Sequence, residues 1–456
     1  MIVMKFGGTS VKDASAVRNL IDIVKSRNGK RFVVVSALGG VTDSLVSMIK
    51  DLKQHDLMNA LKKFDLIQKR HIDMINDLGL GDNLVNFIAE KFGEFRQVLQ
   101  ALDILGEISP KSTDMILSQG EMFSSVIVHQ ALKKAGIKVA YADAKDIMIT
   151  DSNYTEAGVD FHNTGKATEK ICGKLFSENE CVITGGFYGA NDQGFVTTLG
   201  RGGSDYSAAI FASALKADKL EIWTDVDGIL TSDPRLIKDT KLILNLSYTE
   251  AAELAFFGAK VLHPKTIYPA VNSQIPVTVL NTFNPENPGT NIIGLRSNIK
   301  MIKAIAFRKG ITVINVNSFR MLGAYGFLSK VFEIFNDFET PIDLVATSEV
   351  NVSMTIDDDR HLNYIIEELE KFANVNIQKN QTIISAVGEG IRDTAGIAGK
   401  FFSALAGINI NLVSIGASDV NLSIVVNESD LDKAVVLLHD TFFRDVAHPE
   451  IFSNIN

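Results

Sequence analysis

Four charged residues lie beside glycines or in apolar runs and are the strongest candidates for chemistry in this sequence. Lys5 precedes the glycine pair of KFGGTS, Arg201 and Asp205 lie in TTLGRGGSDYSAA, and Lys260 lies in FGAKVLHP. A charge held in apolar surroundings without a partner costs free energy. We therefore expect the lysines and the arginine to reach an anion and the aspartate to orient a cation.

The motifs KFGGTS and SALGGVTDS each place glycines between a predicted strand and a predicted helix. Such glycines let backbone N–H groups approach an anion, and the helix adds the positive end of its dipole. Glycine turns can also simply connect a strand to a helix. Lys5 favours phosphate binding, because an ammonium at the end of a strand can neutralise phosphoryl oxygens. Neither a P-loop nor a G-x-G-x-x-G dinucleotide motif is present.

The motif GRGGSD is the more specific anion-binding pattern. The planar guanidinium of Arg201 can bind a carboxylate or phosphate through two parallel hydrogen bonds. Gly202 and Gly203 have no side chains and leave the backbone accessible to a ligand. Ser204 is expected to cap the following helix and to contact a ligand. Asp205 in an otherwise apolar run is expected to orient a cation. A capped turn without a ligand is the alternative interpretation.

Two further motifs are compatible with nucleotide binding. WTDVDGILTSDPR, residues 223 to 235, carries acidic residues that can bind ribose hydroxyls or organise a Mg²⁺–phosphate complex, and Arg235 can reach phosphate. A polar loop rich in turn formers is the alternative. Lys260 is expected to reach an anion, unless it extends its ammonium to solvent at the surface.

The elements that must position these residues follow from hydrophobic patterning. IVMKF and RFVVV each precede a glycine turn and a helical pattern, and KVAYA, CVITGGF and LEIWTDV are further candidate strands. Residues 51 to about 135 are rich in helical patterns. The sequence therefore predicts an α/β domain with a largely parallel central sheet sandwiched by helices.

The sequence changes character after NPENPGTNIIG, and we place a domain boundary near residue 295. Two stretches that begin at Gly326 and Gly396 then align, with Lys330 over Lys400. Each copy predicts a split βαβ module with helices on one sheet face. We predict a first domain at 1–295 and two smaller modules, at 296–380 and 381–456, that are interleaved.

Composition restricts the class of protein. The 456 residues carry a net charge of −9, which argues against nucleic-acid binding, and no apolar run is long enough to span a bilayer. Only Cys172 and Cys181 are present, and neither they nor the histidines have metal-ligand spacing. The opening MIVMKFGGTS has no secretory leader. We expect a cytoplasmic protein with no protein-bound metal site.

The whole set of motifs resembles the aspartokinases of the amino-acid kinase family. The resemblance covers KFGGTSV, SALGGVTDSL, SQGEMFSS, TTLGRGGSDYSAA, WTDVDGILTSDPR, FGAKVLHP and two ACT-type modules, in this order and over nearly the whole chain. It implies transfer of the γ-phosphoryl group of ATP, with Mg²⁺, to the β-carboxylate of L-aspartate. The product is 4-phospho-L-aspartate, on the route to lysine, threonine and methionine. An aspartate side chain, with a pKa near ~3.9, is already an anionic nucleophile at neutral pH, so no general base is required.

The resemblance also implies roles for individual residues. The catalytic residues would be Lys5, Gly8, Asp205, which orients Lys5, and Lys260. The aspartate-binding residues would be Ser36, Thr42, Glu121, Arg201 and Ser204. The nucleotide-binding residues would be Lys5, Gly7, Gly8, Ser10, Thr224, Asp225, Leu230, Arg235 and Lys260. Leu230 departs from the tyrosine often found in the family, and it could pack on the nucleotide but not donate a hydroxyl.

The paired modules resemble the regulatory region of the lysine-sensitive type. The residues similar to an effector site are Met321, Phe327, Leu328, Ile342, Asp343, Ser348 and Glu349. The acidic residues would meet the ammonium groups of lysine, which is the favoured inhibitor, and threonine remains open. The modules imply a homodimer or a dimer of dimers.

Two rival functions remain open. The same fold could phosphorylate glutamate, acetylglutamate, carbamate or a nucleoside monophosphate, although those relatives generally lack the combined SQGE and GRGGSD motifs with tandem modules. A non-catalytic amino-acid sensor is the other, but it has little reason to keep Lys5, Glu121, Arg201, Asp205 and Lys260 together. Since the chain ends at Asn456, we expect a monofunctional enzyme.

Overall fold

The structure is a computed structural model that describes residues 1–258, 264–294, 299–319, 325–444 and 448–454. The chain packs into two compact units, Met1–Ile229 with Leu262–Gly294, and Leu230–Val261 with Leu295–Asn456. Residues 230–258 thus pack with the second unit although they precede the predicted boundary near residue 295. How the functions divide between domains stays a prediction.

The secondary structure of the first 229 residues alternates strands and helices. Its elements are β1 (Ile2–Phe6), α1 (Ala14–Ser26), β2 (Arg31–Val35), α2 (Val41–Lys53), α3 (Leu57–Asp77), α4 (Asp82–Leu105), α5 (Pro110–Leu117), α6 (Gln119–Lys134), β3 (Val139–Tyr141), α7 (Ala144–Ile147), α8 (Phe161–Leu175), β4 (Cys181–Gly185), β5 (Tyr188–Ala190), β6 (Val196–Thr198), α9 (Gly203–Ala214) and β7 (Lys219–Thr224).

The rest of the chain begins with short elements and continues into longer strands. Residues 230–294 contain β8 (Lys241–Ile243), β9 (Asn245–Ser247), α10 (Tyr248–Phe256), α11 (Pro264–Asn272), β10 (Val277–Asn281) and β11 (Thr290–Ile293). Residues 299–454 contain β12 (Met301–Asn317), α12 (Phe327–Asp337), β13 (Val345–Thr347), β14 (Asn351–Ile356), α13 (Leu362–Glu370), β15 (Asn374–Glu389), α14 (Ile397–Ala404), β16 (Leu412–Ile415), β17 (Asn421–Asn427), α15 (Leu431–Phe443) and β18 (Phe452–Asn454). None of the helices in the described ranges is long and apolar enough to cross a membrane.

The first unit is built on a largely parallel sheet, and the predicted fold class is confirmed. Its strands run in the order β3-β4-β2-β1-β7-β10-β11. Only the pairing of β10 with β11 is antiparallel among the described ladders of these strands. All five residues of β2 are buried, which explains its unbroken β-branched run, since helices cover both faces of such a sheet.

Helix ends in this unit follow ordinary capping chemistry. The side chain of Asp13 accepts a hydrogen bond from the backbone N–H of Ala16 at 2.9 Å, which fixes the start of α1. α1 then buries Val17, Leu20 and Val24. The glycine loop before α1 is therefore held between a buried strand and a capped helix.

The second unit contains a six-stranded antiparallel sheet in the order β13-β14-β12-β15-β17-β16. Its two halves are interleaved in sequence. The first half of β12, from Met301 to Arg308, pairs with β15 between Glu389 and Ile383, beside β17. The second half of β12 pairs with β14 and with the first half of β15. The module that comes later in the sequence thus includes a strand, Met301 to Arg308, that precedes the rest of the earlier module.

Candidate active site

The candidate site lies where four parallel strands of the first unit end. Phe6 of β1 is in register with Val35 of β2 and Trp223 of β7, and Val35 is in register with Gly185 of β4. Each of these strands leads directly into a loop. Ligands of open α/β sheets bind at the carboxyl ends of the strands, so the sheet gathers the glycine motifs at the edge where a ligand is expected.

The first two glycine loops contact each other through their backbones. A Cβ atom added at Gly8 would lie 3.1 Å from the carbonyl oxygen of Ala37, and one at Gly39 would lie 3.2 Å from the carbonyl oxygen of Gly8. These contacts leave little room for larger residues. Gly8 also begins a 3₁₀ turn, Gly8–Val11, and the first N–H groups of such a turn have no partner within it.

Two predicted nucleotide ligands instead stabilise the loop in this conformation. The N–H of Gly7 donates to the carbonyl oxygen of Trp223 at 3.0 Å, so it is not free to bind phosphate. The hydroxyl of Ser10 is buried, 3.2 Å from the same carbonyl oxygen and 2.7 Å from Oγ1 of Thr282. Direct nucleotide binding by Ser10 stays a prediction, and of the glycine pair Gly8 is the better N–H donor.

Lys5 and Asp205 form an ion pair beside the first of these loops. Nζ of Lys5 lies 2.6 Å from Oδ1 of Asp205, and Lys5 is only 8% exposed. Asp205 belongs to the first turn of α9, where the helix dipole stabilises a carboxylate. The carboxylate therefore fixes the ammonium at the end of β1, next to the Gly7–Gly8 loop.

Glu121 is a buried carboxyl group in the first turn of α6, and it is 3% exposed. Burial raises its pKa to about 8, while hydrogen bonds from the backbone of Ala37 and of Glu121 itself, and the charge of Lys5, oppose that rise. Within the described part of the chain, Oε2 of Glu121 has no hydrogen-bond partner. An unsatisfied buried carboxyl group is a ready acceptor for an incoming ammonium.

Arg201 lies in the turn before α9 and is exposed. It makes no hydrogen bond or ion pair with another described residue, which leaves its fork available to an anion. The expectation that Ser204 caps α9 is wrong, because Gly202 occupies the N-cap at φ +73° and Ser204 is the second residue of the helix. A left-handed φ strains most side chains, so glycine takes that position. Ligand contact by Ser204 stays a prediction.

The remaining predicted aspartate ligands sit near the end of β2. The N–H of Ser36 donates to the carbonyl oxygen of Phe6 at 3.1 Å, and the carbonyl oxygen of Ser36 accepts from Oγ of Ser124 at 2.7 Å. These bonds fix the backbone and leave the half-buried Ser36 hydroxyl to other partners. Thr42 is the second residue of α2 and is half-buried.

The predicted nucleotide loop is divided between the two packing units. Thr224 and Asp225 belong to the first unit, and Oγ1 of Thr224 donates to Oδ1 of Asp225 at 3.2 Å. Leu230 and Arg235 belong to the second unit. The guanidinium of Arg235 binds both carboxylate oxygens of Asp233, and the shortest distance, from Nη2 to Oδ2, is 2.5 Å. The side chain of Arg235 is 85% exposed.

Two predicted residues, Lys260 and Met321, lie outside the described residues. The other predicted effector residues belong to the second unit. Phe327 and Leu328 begin α12, Ile342 and Asp343 precede β13, and Ser348 and Glu349 lie between β13 and β14.

Sequence reasoning missed Asp114, a buried residue of α5. Its carboxylate accepts hydrogen bonds from the hydroxyl of Thr198 at 2.6 Å and from the backbone N–H groups of Thr198 at 2.9 Å and Thr155 at 3.0 Å. It thereby anchors the end of β6, immediately before the turn that carries Arg201. No motif indicates this role, because its partners lie 41 and 84 residues away.

The fold and the site define an α/β kinase with an attached ACT-type region. The sequence profile of the Amino acid kinase family matches residues 1–281, and that of the ACT domain matches residues 384–442. The chain is 34% identical to Lysine-sensitive aspartokinase 3 of Escherichia coli, over 97% of this chain and 99% of that one. It is 35% identical to Aspartokinase 1, chloroplastic, of Arabidopsis thaliana, over 97% of this chain and 80% of that protein.

Solved structures show the same relationship. E. coli aspartokinase III in complex with aspartate and ADP, in its R-state, superposes with a TM-score of 0.84 at 33% identity, over 97% of this chain and all of the other. The T-state complex of that enzyme with lysine and aspartate gives a TM-score of 0.80 at 34% identity, over 97% and 99% of the two chains. The chain therefore belongs to the amino acid kinase family and, within it, to the aspartokinases.

Proposed function

We propose that this chain transfers the γ-phosphoryl group of ATP to the β-carboxylate of L-aspartate. The observation that carries the proposal is the ion pair of the buried Lys5 with Asp205, beside the Gly7–Gly8 loop at the carboxyl edge of the parallel sheet. The superposable E. coli enzyme binds aspartate and ADP. The product, 4-phospho-L-aspartate, belongs to lysine, threonine and methionine biosynthesis.

Lys5 neutralises the charge that spreads over the transferring phosphoryl group, and Asp205 positions it. The aspartate carboxylate is already ionised, so the protein needs to align two anions rather than remove a proton. The N–H of Gly8 would add a hydrogen bond to the phosphates. Lys260, Thr224, Asp225, Leu230 and Arg235 are proposed as further nucleotide ligands on the family resemblance alone.

Arg201 and Glu121 are proposed to bind the two ends of the amino acid. Arg201 is unpaired among the described residues and suits the α-carboxylate, whereas buried Glu121 suits the α-ammonium. Ser36, Thr42 and Ser204 would contribute hydroxyls. This division of charge would favour an α-amino acid over a carboxylic acid that lacks an ammonium.

The nucleotide is proposed to enter as MgATP, because Mg²⁺ keeps much of its hydration shell and binds mainly to phosphate oxygens. We also propose a cytoplasmic location. Both cysteines are free and buried, and burial raises the pKa of each thiol to about 12. Such thiols are unreactive and suit a reducing compartment.

Lysine is the proposed feedback inhibitor, with threonine as the alternative. The E. coli relative binds lysine in its T-state, and the predicted acidic effector residues Asp343 and Glu349 are present here. We further propose a homodimer or dimer of dimers through the paired modules. Light scattering with and without lysine would measure the oligomeric state.

The test of the function is formation of aspartyl hydroxamate from L-aspartate, MgATP and hydroxylamine. Glutamate, acetylglutamate, carbamate and nucleoside monophosphates serve as rival acceptors in parallel reactions. Product from aspartate alone supports the proposal, and its suppression by lysine supports the regulation. Folded protein that yields no product from aspartate would instead indicate a non-catalytic amino-acid sensor.

The pH dependence of kcat/KM for aspartate is expected to follow the ionisation of the Glu121 carboxyl group. Its pKa of about 8 means that the carboxyl group is largely neutral below that pH and ionised above it. Only the ionised form attracts the substrate ammonium, so kcat/KM for aspartate should rise between pH 6.5 and 8.5. The variant Glu121→Gln should give a lower and flat profile. An equal rise in that variant would show that another group titrates.

Replacing the exposed Glu349 by alanine is expected to weaken inhibition by lysine and to leave the uninhibited rate unchanged. An exposed charge pair contributes at most about 1 kcal/mol, so the half-inhibitory concentration should rise by up to about fivefold. The matched control is Glu333→Ala, an exposed glutamate on α12. If the uninhibited rate falls together with the inhibition, Glu349 has a structural role instead.

A further inference from the structure

We propose that Arg308 connects the effector site to the segment of chain that leads to Lys260. The inference rests on the proposed effector site and adds a residue that the family resemblance did not assign. Arg308 lies near the middle of β12, and the described residues of the connection all belong to the second packing unit. It is proposed as a positioning residue, because it acts through other groups.

Arg308 binds the carboxylate predicted to receive the effector. Its Nη1 donates to Oδ1 of Asp343 at 2.8 Å, and its Nη2 forms a second ion pair with Asp357. The side chain of Asp343 is only 4% exposed, whereas that of Arg308 is 30% exposed. Asp343 thus already has a cationic partner before any effector binds.

The other oxygen of Asp343 is open to a second donor. Oδ2 is buried and has no hydrogen-bond partner within the ranges that the structure describes. An amino-acid ammonium that reaches Oδ2 would share the carboxylate with Arg308 and weaken the existing ion pair. Because Arg308 keeps Asp357, its guanidinium would then shift rather than leave.

The same guanidinium contacts α10. It lies 5.5 Å from the ring centroid of Phe256, the last residue of that helix, in a cation–π contact. Next to it, a Cβ atom added at Gly258 would lie 2.1 Å from the carbonyl oxygen of Phe307, so the two backbones are in close contact. Lys260 follows Gly258 by two residues in the sequence.

Two other contacts fix the same side of α10 to the sheet. Glu250 pairs with the buried Lys303 of β12 at 2.8 Å, and Glu253 accepts a hydrogen bond from Asn421 of β17 at 2.5 Å. With Phe256 the contacts recur every three residues, which places them along one side of the helix. A shift of Arg308 would therefore act at the end of a helix that is held firmly elsewhere.

The experiment compares lysine binding with lysine inhibition in Arg308→Met and Phe256→Leu. Calorimetry gives Kd, and the hydroxamate assay gives the uninhibited rate and the residual rate at saturating lysine. The matched control is Arg360→Met, which removes a 77% exposed arginine of the same unit that is paired with Asp358. Thermal unfolding verifies that each variant is folded, and Phe256→Leu leaves the Arg308–Asp343 pair intact.

Both test variants are expected to bind lysine with a Kd at or below the parent value. Their residual rate at saturating lysine should rise about fivefold or more, a typical size for lost coupling, while the uninhibited rate stays within about twofold. Full inhibition in both variants would overturn the inference. So would loss of lysine binding in Arg308→Met with full inhibition in Phe256→Leu, since Arg308 would then only shape the pocket. A parent chain that forms aspartyl hydroxamate and binds neither lysine nor threonine would contradict the effector site itself, and the inference with it.

Discussion

Turnover is expected to fall by about two to three orders of magnitude when Lys5 is replaced by alanine, as for other deleted donors to a developing charge. Lys5 is buried and held 2.6 Å from Asp205, so its removal takes away a positive charge that is already fixed in place. The backbone of β1 keeps its ladder with β2 and β7, and the fold should remain intact.

Single-turnover and steady-state assays of Lys5→Ala would measure the loss, with circular dichroism to verify folding. Lys12→Ala is the matched control, because Lys12 follows the same glycine loop but is exposed and lies over the ring of Phe283. Its turnover should equal that of the parent. Unchanged turnover in Lys5→Ala would remove Lys5 from the proposed mechanism.

The second large effect is expected from Arg201→Ala, which should lower kcat/KM for aspartate by at least about 10²-fold. Hydrogen bonds to charged groups contribute roughly 1.5–3 kcal/mol each, and a forked pair with the α-carboxylate would supply two. The KM for ATP should change little, since Arg201 is assigned to the amino acid. Because Arg201 is exposed and has no described partner, its loss should not affect stability.

Initial rates with aspartate and ATP varied separately would distinguish these effects. Arg201→Lys keeps the charge but loses the fork, and it should give an intermediate kcat/KM. Arg392→Ala is the control, since it removes an arginine of the second unit that pairs with Asp419. A larger change in the KM for ATP than for aspartate would assign Arg201 to phosphate binding.

Local patterns in the sequence predict those parts of the site that follow directly from strand ends. The strand before Gly7, the strand before Gly39 and the helix that carries Asp205 can all be read from neighbouring residues. Lys5 lies at the carboxyl end of β1, and α9 leads into β7, a strand parallel to β1, so the start of α9 with Asp205 is expected at the same edge of the sheet. The fold class was predictable for the same reason.

Contacts between residues far apart in the sequence could not be predicted. The carbonyl oxygen of Trp223 takes the N–H of Gly7 although more than two hundred residues separate them, and no pattern at either position shows it. Asp114 and Thr198 are equally remote. The packing of residues 230–258 with the second unit also depends on long-range contacts, such as the Glu250–Lys303 ion pair. Each depends on tertiary packing rather than on local propensity.

The interleaved strand of β12 also restricts how genes of this kind can be rearranged. Met301 to Arg308 completes the sheet of the later module, while the rest of β12 serves the earlier one. A recombination point placed between residues 309 and 380 would separate the later module from one of its strands and leave an unpaired edge on β15. We therefore expect the two modules to be inherited, duplicated or lost together, because one continuous strand contributes to both.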